Sequence, residues 1–256
     1  MYREGEAPMR RIIPAAVLLL LLTACCEPVE PDLSAYTAGP AEVTAAEESE
    51  VKYVALTFDD GPRADTTAHL LDGLAERGVR ATFFVIGEQV EGNAELIGRM
   101  KAEGHQIGNH TYSHARLSWM DRDTVIEEIQ KTEVVLSELL GEGSWWLRPP
   151  YGLIDEGRAS LVGTPMIYWS LDPEDWKLLD ARKVADYVVK NISPGDIILL
   201  HDFYPTSVDA ALEIVDRLQM EGYTFVTVEE LFRIQGVEPE NGVLYASPTR
   251  LRPLAG

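Results

Sequence analysis

The sequence has little cysteine: only two residues, Cys25 and Cys26, both near its start. Because no cysteine follows residue 26, the remaining chain has neither a disulfide nor cysteine chemistry. Any catalytic or metal-binding site in that part must use other side chains, mainly those of His, Asp, Glu, Ser and Lys. The acidic and histidine-containing motifs are therefore the main candidates for such a site.

The sequence also lacks basic charge. It carries 22 Lys and Arg residues against 42 Asp and Glu residues, which gives a formal net charge of -20. Nucleic-acid-binding proteins usually present a basic surface, so this class is set aside and no nucleic-acid partner is expected. The acidity suits a soluble exported enzyme with a neutral substrate, and it carries no information about the fold.

No apolar run in the N-terminal part is long enough to cross a bilayer, which takes about 20 residues. The run Ile12–Leu22 is interrupted by Pro14 and follows the basic segment Met9–Arg11. This pattern fits a secretory signal. Its end, Leu22–Cys25, resembles the lipobox of bacterial lipoproteins, in which the cysteine thiol carries diacylglycerol.

We therefore expect residues 1–24 to be a lipoprotein signal peptide and Cys25 to be lipidated. The protein would then be exported and lipid-anchored to the outer face of the cell membrane. The alternative is an ordinary signal peptide with a chance cysteine. Residues 25–50 are rich in Ala, Glu, Pro, Thr and Ser and contain few large apolar side chains, so they are interpreted as a flexible tether.

From Val51 onward, short apolar runs alternate with helical patterns, and Gly residues end several of the helices. Seven strands are predicted: Tyr53–Phe58, Ala81–Ile86, Gln106–Asn109, Trp145–Arg148, Met166–Ser170, Asp196–Leu200 and Thr224–Val228. Five main helices are predicted: Thr66–Arg77, Asn93–Glu103, Asp121–Leu140, Ala181–Asn191 and one capped by Ser207. The alternation predicts an α/β domain with parallel strands, closed or nearly closed into a barrel.

Two adjacent carboxylates, Asp59 and Asp60, lie where the first strand ends, within the segment Thr57–Pro62. Adjacent side chains of a strand point to opposite faces, and the following Gly-Pro breaks the strand. Two ionised carboxylates repel each other unless something neutralises one of them. A metal ion would do so, with one Asp as its ligand and the other free as a base. Taken alone, the segment is equally compatible with a polar turn.

Further polar clusters follow the later strands. His110 and His114 are spaced so that one helical turn would let them share a metal, although a lone pair with this spacing is more often structural. Two prolines without N–H groups precede Tyr151, whose backbone N–H could serve an oxyanion site. His201 follows the sixth strand, where a hydrogen-bonded core histidine is an equal alternative. His105, before the third strand, is expected to support that strand.

The clusters together resemble one known family. The motifs are, in chain order, Thr57–Pro62, His110–His114, Arg148–Tyr151, Asp172–Trp176 and Leu199–His201. This set is similar to that of the polysaccharide deacetylases of carbohydrate esterase family 4, the NodB-homology family. The match covers about residues 51–235, which leaves 236–256 as a C-terminal tail. The resemblance implies a distorted (β/α) barrel with fewer than eight units, in agreement with about seven parallel strands.

The resemblance also implies a role for each matched residue. Asp60, His110 and His114 look like the metal ligands. Asp59 looks like the catalytic base, and Arg148 is similar to the arginine that orients this base. The ion is expected to be Zn²⁺, with Co²⁺ or another first-row metal as an alternative.

The remaining matched residues surround the expected substrate. Tyr151 looks like the oxyanion donor, through its backbone N–H. His201 looks like the general acid, and Asp175 is similar to the carboxylate that pairs with it. Trp176 and Leu199 look like walls of the pocket for the acetyl methyl group.

The implied activity is a metal-dependent hydrolysis that removes N-acetyl groups from a polysaccharide. N-acetylglucosamine of peptidoglycan is the expected substrate, because the lipid anchor would face the cell wall. Chitin oligomers, xylan, an exopolysaccharide and N-acetylmuramic acid are the alternatives, as is a non-catalytic carbohydrate-binding lipoprotein. A monomer is expected, with an acetylated polysaccharide and the membrane as partners.

Overall fold

A computed structural model describes residues 51–255; the expected signal peptide, lipidation site and tether lie outside these residues. Within the described part, no helix is long and apolar enough to cross a membrane. The strands are, in chain order, β1 Lys52–Asp59, β2 Thr82–Val85, β3 Gln106–Asn109, β4 Met166–Ile167, β5 Ile197–His201, β6 Tyr223–Val226, β7 Leu244–Ser247 and β8 Arg250–Leu251.

Strand β1 is the centre of a five-stranded parallel sheet. It pairs with β5 along one side, and on the other side it pairs with β6 near its start and with β2 near its end. Strand β3 extends the sheet beyond β2. Because all these pairs are parallel, the carboxyl ends of the strands lie at one edge of the sheet, where ligand sites of α/β proteins form.

Short bridges close this sheet into an irregular ring. Leu147 pairs with Asn109 at the end of β3 and with Met166 of β4. A few residues later Leu171 pairs with Ile198 of β5, which itself lies beside β1. The chain therefore returns to its starting strand, and the fold is a distorted barrel of the expected α/β class.

Helices cover the outside of the ring. They are α1 Thr66–Glu76, α2 Gly87–Val90, α3 Ala94–Ala102, α4 Arg122–Leu140, α5 Glu156–Ala159, α6 Asp175–Leu178, α7 Ala181–Asn191, α8 Pro205–Met220 and α9 Val228–Ile234. Short 3₁₀ turns lie at Glu91–Asn93, Leu117–Trp119 and Pro150–Gly152.

The side chains of β1 alternate between two apolar clusters. Leu56 and Phe58 pack on the outside of the ring in a cluster that includes Leu70 of α1 and Val208 of α8. Ala55 packs inside the ring in a second cluster, with side chains from β2, β4, β5 and β6. All six residues from 54 to 59 are buried, which explains why the strand reads as a nearly continuous apolar run.

Several sequence-based boundaries are wrong. The predicted strand Trp145–Arg148 is a single bridge at Leu147, and the predicted strand Met166–Ser170 forms a ladder over two residues only. In both cases the backbone stops pairing after one or two residues, and the next polar groups, the Arg148 side chain and the Tyr168 carbonyl, point into the ring. Ser207 does not cap the fifth predicted helix: Pro205 occupies its first turn, and Ser207 is buried inside α8.

The prediction of a C-terminal tail over residues 236–256 is also wrong, because this segment contains two strands. Strand β7 runs parallel to β4, and β8 turns back antiparallel to β7. Leu244 and Tyr245 of β7 are buried, so this hairpin packs as part of the barrel wall. The prediction of a tail followed from the family resemblance, which ends near residue 235.

Candidate metal and catalytic centre

Asp59 ends β1 with its carboxylate inside the ring, on the same strand face as Ala55 and Thr57. The fully buried Arg148 donates from Nη1 to Asp59 Oδ1 at 2.7 Å and to Thr57 Oγ1 at 2.8 Å. Its Nη2 donates to the Tyr168 carbonyl at 2.8 Å. Because these charged groups are removed from water, the ion pair fixes the orientation of the Asp59 carboxylate.

Asp60, one residue further on, faces two histidines. Its Oδ1 lies 3.4 Å from His110 Nε2 and 3.3 Å from His114 Nε2. One ligand atom from each of the three residues lies within 4.8 Å of the others. Asp60 and His114 both adopt positive φ angles, 71° and 58°, which non-glycine residues rarely do. Such backbone strain is typical of functional sites, and here it occurs at two of the three residues whose side chains meet at one point.

His110 presents its Nε2 lone pair to this point because its other nitrogen is engaged. Nδ1 donates to the Arg148 carbonyl at 2.7 Å, and a carbonyl can only accept, so the tautomer is fixed. Asp59 Oδ2 lies 3.7 Å from Nε2. Burial would lower the pKa of His110, but the carboxylates of Asp59 and Asp60 outweigh burial and raise it.

The donor set fits a divalent cation. Asp60 Oδ1 is buried and accepts no hydrogen bond from the described part of the chain, so it is free to coordinate. Burial would raise the pKa of Asp60, but the imidazoles of His110, His201 and His114 outweigh burial and lower it to about 2, so the carboxylate is ionised. Burial, followed by the charge of His110, lowers the pKa of His114. An ionised carboxylate and two imidazoles are suitable ligands for zinc and related ions.

His201 lies beside Asp59, because the β1–β5 register pairs these two residues. Asp175, which is buried, accepts twice from His201: Oδ2 from the backbone N–H at 2.9 Å and Oδ1 from ring Nδ1 at 2.8 Å. The opposite ring nitrogen, Nε2, is left for the pocket. Burial would lower the pKa of His201, but the hydrogen bond and charge of Asp175 outweigh burial and raise it to about 9.

Tyr151 lies in the 3₁₀ turn that follows Arg148, with φ of 62°. The hydrogen bonds of this turn are donated by the N–H groups of Gly152 and Leu153, to the carbonyls of Pro149 and Pro150. The Tyr151 N–H therefore takes no part in closing the turn. Its ring packs edge-on against His114, with the ring centroids 4.8 Å apart.

These groups surround one pocket of about 420 Å³ at the carboxyl ends of the strands. Leu199 is buried in its wall, whereas Trp176, on α6, lies half exposed at its edge. The lining residues are Asp59, Asp60, His110, His114, Tyr151, Trp169, Asp172, Trp176, Leu199, His201 and Tyr204.

The structure brings together every site residue predicted within the described part. Arg148 and Asp175 lie behind the pocket wall and contact Asp59 and His201. Cys25, the expected lipidation site, lies outside the described residues. The chemical roles assigned from the resemblance stay predictions, because the geometry establishes proximity and orientation and leaves the roles untested.

Sequence reasoning missed several neighbours of the site. Thr57 accepts from Arg148 and also donates to the Ile198 carbonyl at 2.6 Å, so it links the buried arginine to β5. Trp169 and Tyr204 line the pocket and were not predicted to do so. The adjacent aromatic residues at the end of the predicted fifth strand were a signal for Trp169, because strand ends meet at the pocket edge.

Comparison with known proteins identifies relatives of this chain. A family model described as "Polysaccharide deacetylase" matches residues 46–162. A peptidoglycan-N-acetylglucosamine deacetylase of Bacillus cereus is 40% identical over 187 residues, covering 70% of this chain and 68% of its own length. One of Listeria monocytogenes is 39% identical over 181 residues, covering 71% of this chain and 39% of its own length.

A solved structure extends the comparison. The cobalt complex of a family 4 acetyl xylan esterase from Clostridium thermocellum superposes with a TM-score of 0.74 at 35% identity, covering 77% of this chain and 100% of that one. The chain thus spans well under half of the Listeria relative and the whole of the esterase domain. By sequence and by fold, the chain belongs to the polysaccharide deacetylase family, carbohydrate esterase family 4.

Proposed function

We propose that this protein is a metal-dependent polysaccharide N-deacetylase that hydrolyses acetamide groups of peptidoglycan. The observation that carries the proposal is the convergence, in one pocket, of a metal-ligand cluster, a buried carboxylate and a carboxylate-paired histidine. Hydrolysis of an amide needs a base, an acid and stabilisation of the oxyanion, and this pocket holds a candidate for each.

Asp60, His110 and His114 would hold the metal, for which we propose Zn²⁺, with Co²⁺ as an alternative supported by the esterase complex. When bound, a divalent cation supplies Lewis acidity: it lowers the pKa of a bound water and polarises the acetamide carbonyl. Nδ1 of His110 donates to the Arg148 carbonyl, which keeps Nε2 in the tautomer that binds a metal.

Asp59 is the proposed general base. Its Oδ1 is engaged with Arg148, whereas Oδ2 faces the metal-ligand cluster, 3.7 Å from His110 Nε2. Oδ2 is therefore the atom that would take the proton of the attacking water. The Tyr151 N–H would donate to the oxygen on which negative charge develops.

His201 is the proposed general acid. Asp175 holds its Nδ1, and the high pKa of the imidazole keeps a proton on Nε2 near neutral pH. Nε2 would protonate the leaving sugar amine as the C–N bond breaks, giving acetate and a glucosamine unit. Leu199 and Trp176 would contact the acetyl methyl group from the wall and edge of the pocket.

The substrate proposal, N-acetylglucosamine of peptidoglycan, is supported by the Bacillus cereus and Listeria relatives, whose names specify this reaction. Acetylated xylan is the second candidate, supported by the acetyl xylan esterase that the fold matches over its full length. We further propose an exported monomer attached to the membrane through Cys25, in reach of the cell wall.

Incubation of the metal-loaded protein with purified muropeptides, followed by mass spectrometry, tests the function. The expected result is the loss of one acetyl group from the N-acetylglucosamine residue, with acetate released in equal amount. Acetylated xylan incubated in parallel separates the two candidate substrates. Absence of acetate release from every acetylated polysaccharide, with the metal bound, would leave the carbohydrate-binding alternative as the better account.

A further inference from the structure

A second cavity, of about 530 Å³, adjoins the reaction pocket. Trp169 and Asp172 line both cavities, so one surface continues from the reacting groups into this neighbouring groove. The groove therefore adjoins the expected site of acetamide hydrolysis.

The C-terminal hairpin builds the far wall of this groove. Strand β7 is held parallel to β4, and the Tyr168 N–H donates to the Tyr245 carbonyl at 2.7 Å. Strand β8 returns alongside, and the Arg252 N–H donates to the Leu244 carbonyl at 2.8 Å. This backbone pairing places Arg250 and Arg252 in the groove lining.

An aromatic stack connects the arginine wall to the reaction pocket. The Arg252 guanidinium lies 4.7 Å from the centroid of the Tyr168 ring. Tyr168 stacks on Trp169 with centroids 3.8 Å apart and planes 13° apart. Gly152 makes the stack possible, because a Cβ there would collide with the Tyr168 ring and would lie 3.0 Å from Trp169. The arginine head group therefore lies over a fixed ring and is partly ordered before any ligand binds.

The groove differs in charge from the chain as a whole. The chain has 42 acidic and 22 basic residues, yet the groove lining contains two arginines and a single acid, Asp172. One oxygen of Asp172 already accepts from the Glu174 N–H at 2.8 Å. Within residues 51–255, neither Arg250 nor Arg252 forms an ion pair with an acidic side chain. Two exposed guanidinium groups without an acidic partner in this part of the chain are suited to an external anion.

We propose that this groove is a subsite for a carboxylate-bearing sugar adjacent to the sugar that is deacetylated. Arg250 and Arg252 bind the carboxylate, since guanidinium groups match carboxylate geometry. The inference rests on the proposed function and deepens it. Neutral chains such as chitin offer no anion to this wall, so the subsite selects glycans with free sugar carboxylates, as in muramic acid units that carry no stem peptide.

Two matched tetrasaccharides test this subsite. One alternates N-acetylglucosamine with N-acetylmuramic acid and carries no peptide; the other is the chitin tetramer. Both contain four acetamide groups and differ in the lactyl carboxylates. Affinity is measured by calorimetry with the full metal-loaded chain carrying Asp59→Asn, so that substrate is not consumed. Deacetylation rates of both sugars are measured separately with Asp59 intact.

Arg250→Gln combined with Arg252→Gln should weaken binding of the acidic tetrasaccharide by about fivefold to tenfold, the usual range for losing two exposed charge contacts. Binding of the chitin tetramer should change by less than about twofold, and the preference of the unmodified protein for the acidic sugar should fall as salt rises. Arg233→Gln, an exposed arginine on α9 outside both cavities, is the matched control and should change neither affinity.

An unchanged ratio of the two affinities in the double variant would overturn the subsite. Binding and acetate release together distinguish failure of the subsite from failure of the proposed function. Selective binding of the acidic sugar without acetate release from either sugar would leave the subsite standing and refute the deacetylase proposal. Acetate release combined with an unchanged affinity ratio would support the deacetylase proposal and refute the subsite.

Discussion

Two buried histidines flank the four-residue strand β3, and they differ in what their ring nitrogens contact. His105 precedes the strand and His110 follows it. The ring of His105 accepts from the Ala81 N–H at 3.0 Å and packs edge-on against Phe83, which confirms its expected supporting role. The ring of His110 donates to the Arg148 carbonyl and turns its other nitrogen toward Asp59 and Asp60.

The difference extends to the pKa of each imidazole. Burial lowers the pKa of His105, although the nearby Glu103 carboxylate opposes the shift. Burial acts in the same direction on His110, but two carboxylates reverse the result and raise its pKa. Burial alone therefore does not separate a structural histidine from a candidate metal ligand. The position of each histidine relative to β3 does separate them: His110 follows the carboxyl end of the strand, and the carboxyl ends of the parallel strands meet at one edge of the sheet.

The largest expected effect comes from removing the imidazole on the functional side of β3. His110→Ala should abolish both metal binding and deacetylation, because one of the three proposed ligands is lost and the Arg148 carbonyl loses its donor. His105→Gln, the matched variant on the other side, should retain metal and activity. Elemental analysis and acetate release measured for both variants check this. Equal metal loss in the two variants would break the comparison.

The second-largest effect on the deacetylation rate is expected at His201, which lies at the carboxyl end of β5, at the same edge of the sheet as His110. His201→Ala should slow deacetylation by roughly 10²–10⁴-fold, the usual contribution of a positioned acid, with the metal still bound. An aryl acetate ester has a leaving group that needs little protonation, so its hydrolysis should slow much less. If the amide and the activated ester slow equally, the role of His201 is structural, like that of His105.

The pH profile sharpens this assignment. The general acid must be protonated, so activity should fall as pH rises through the pKa of His201, which is about 9. The hydrogen bond and charge of Asp175 raise that pKa against the effect of burial, so Asp175→Asn should move the alkaline limb to lower pH. Rate–pH profiles of the two proteins provide the measurement; coincident alkaline limbs would contradict the pairing.

The smallest effect concerns stability at the structural side of β3. The folded pKa of His105 lies below its ordinary value of 6.5, so the unfolded state binds more protons between those two values. The free energy of unfolding should therefore rise with pH across that interval and fall as the medium is acidified. His105→Gln removes this contribution and should flatten the slope. Urea unfolding at several pH values measures it, and an unchanged slope would refute the shifted pKa.

The sequence predicted the site better than the outline of the barrel. The five motifs lie at or just after the ends of strands or of single bridges, and parallel strands bring such ends together whatever their order, so the convergence of Asp60, His110 and His201 could be anticipated. The β1–β5 register, which sets Asp59 beside His201, could not be, because it depends on packing between distant segments.

The misplaced elements have physical causes of the same kind. Leu147 contributes one bridge because Arg148, directly after it, turns inward to four oxygen acceptors. Within residues 51–255, strand β7 pairs with β4 and β8, which are two residues each, and its pairing with β4 depends on packing between distant segments of the chain. The groove formed by the C-terminal hairpin was missed for that reason.

Substituting each of the two adjacent carboxylates, Asp59 and Asp60, in turn is the most direct test of the proposed site. Asp59→Asn and Asp60→Asn, purified in parallel, differ by one position along the chain and are compared by elemental analysis and acetate release. The account predicts that Asp59→Asn keeps the metal and loses activity, because Arg148 and the three ligands remain, whereas Asp60→Asn loses the metal as well. Metal lost from Asp59→Asn and kept by Asp60→Asn would contradict it.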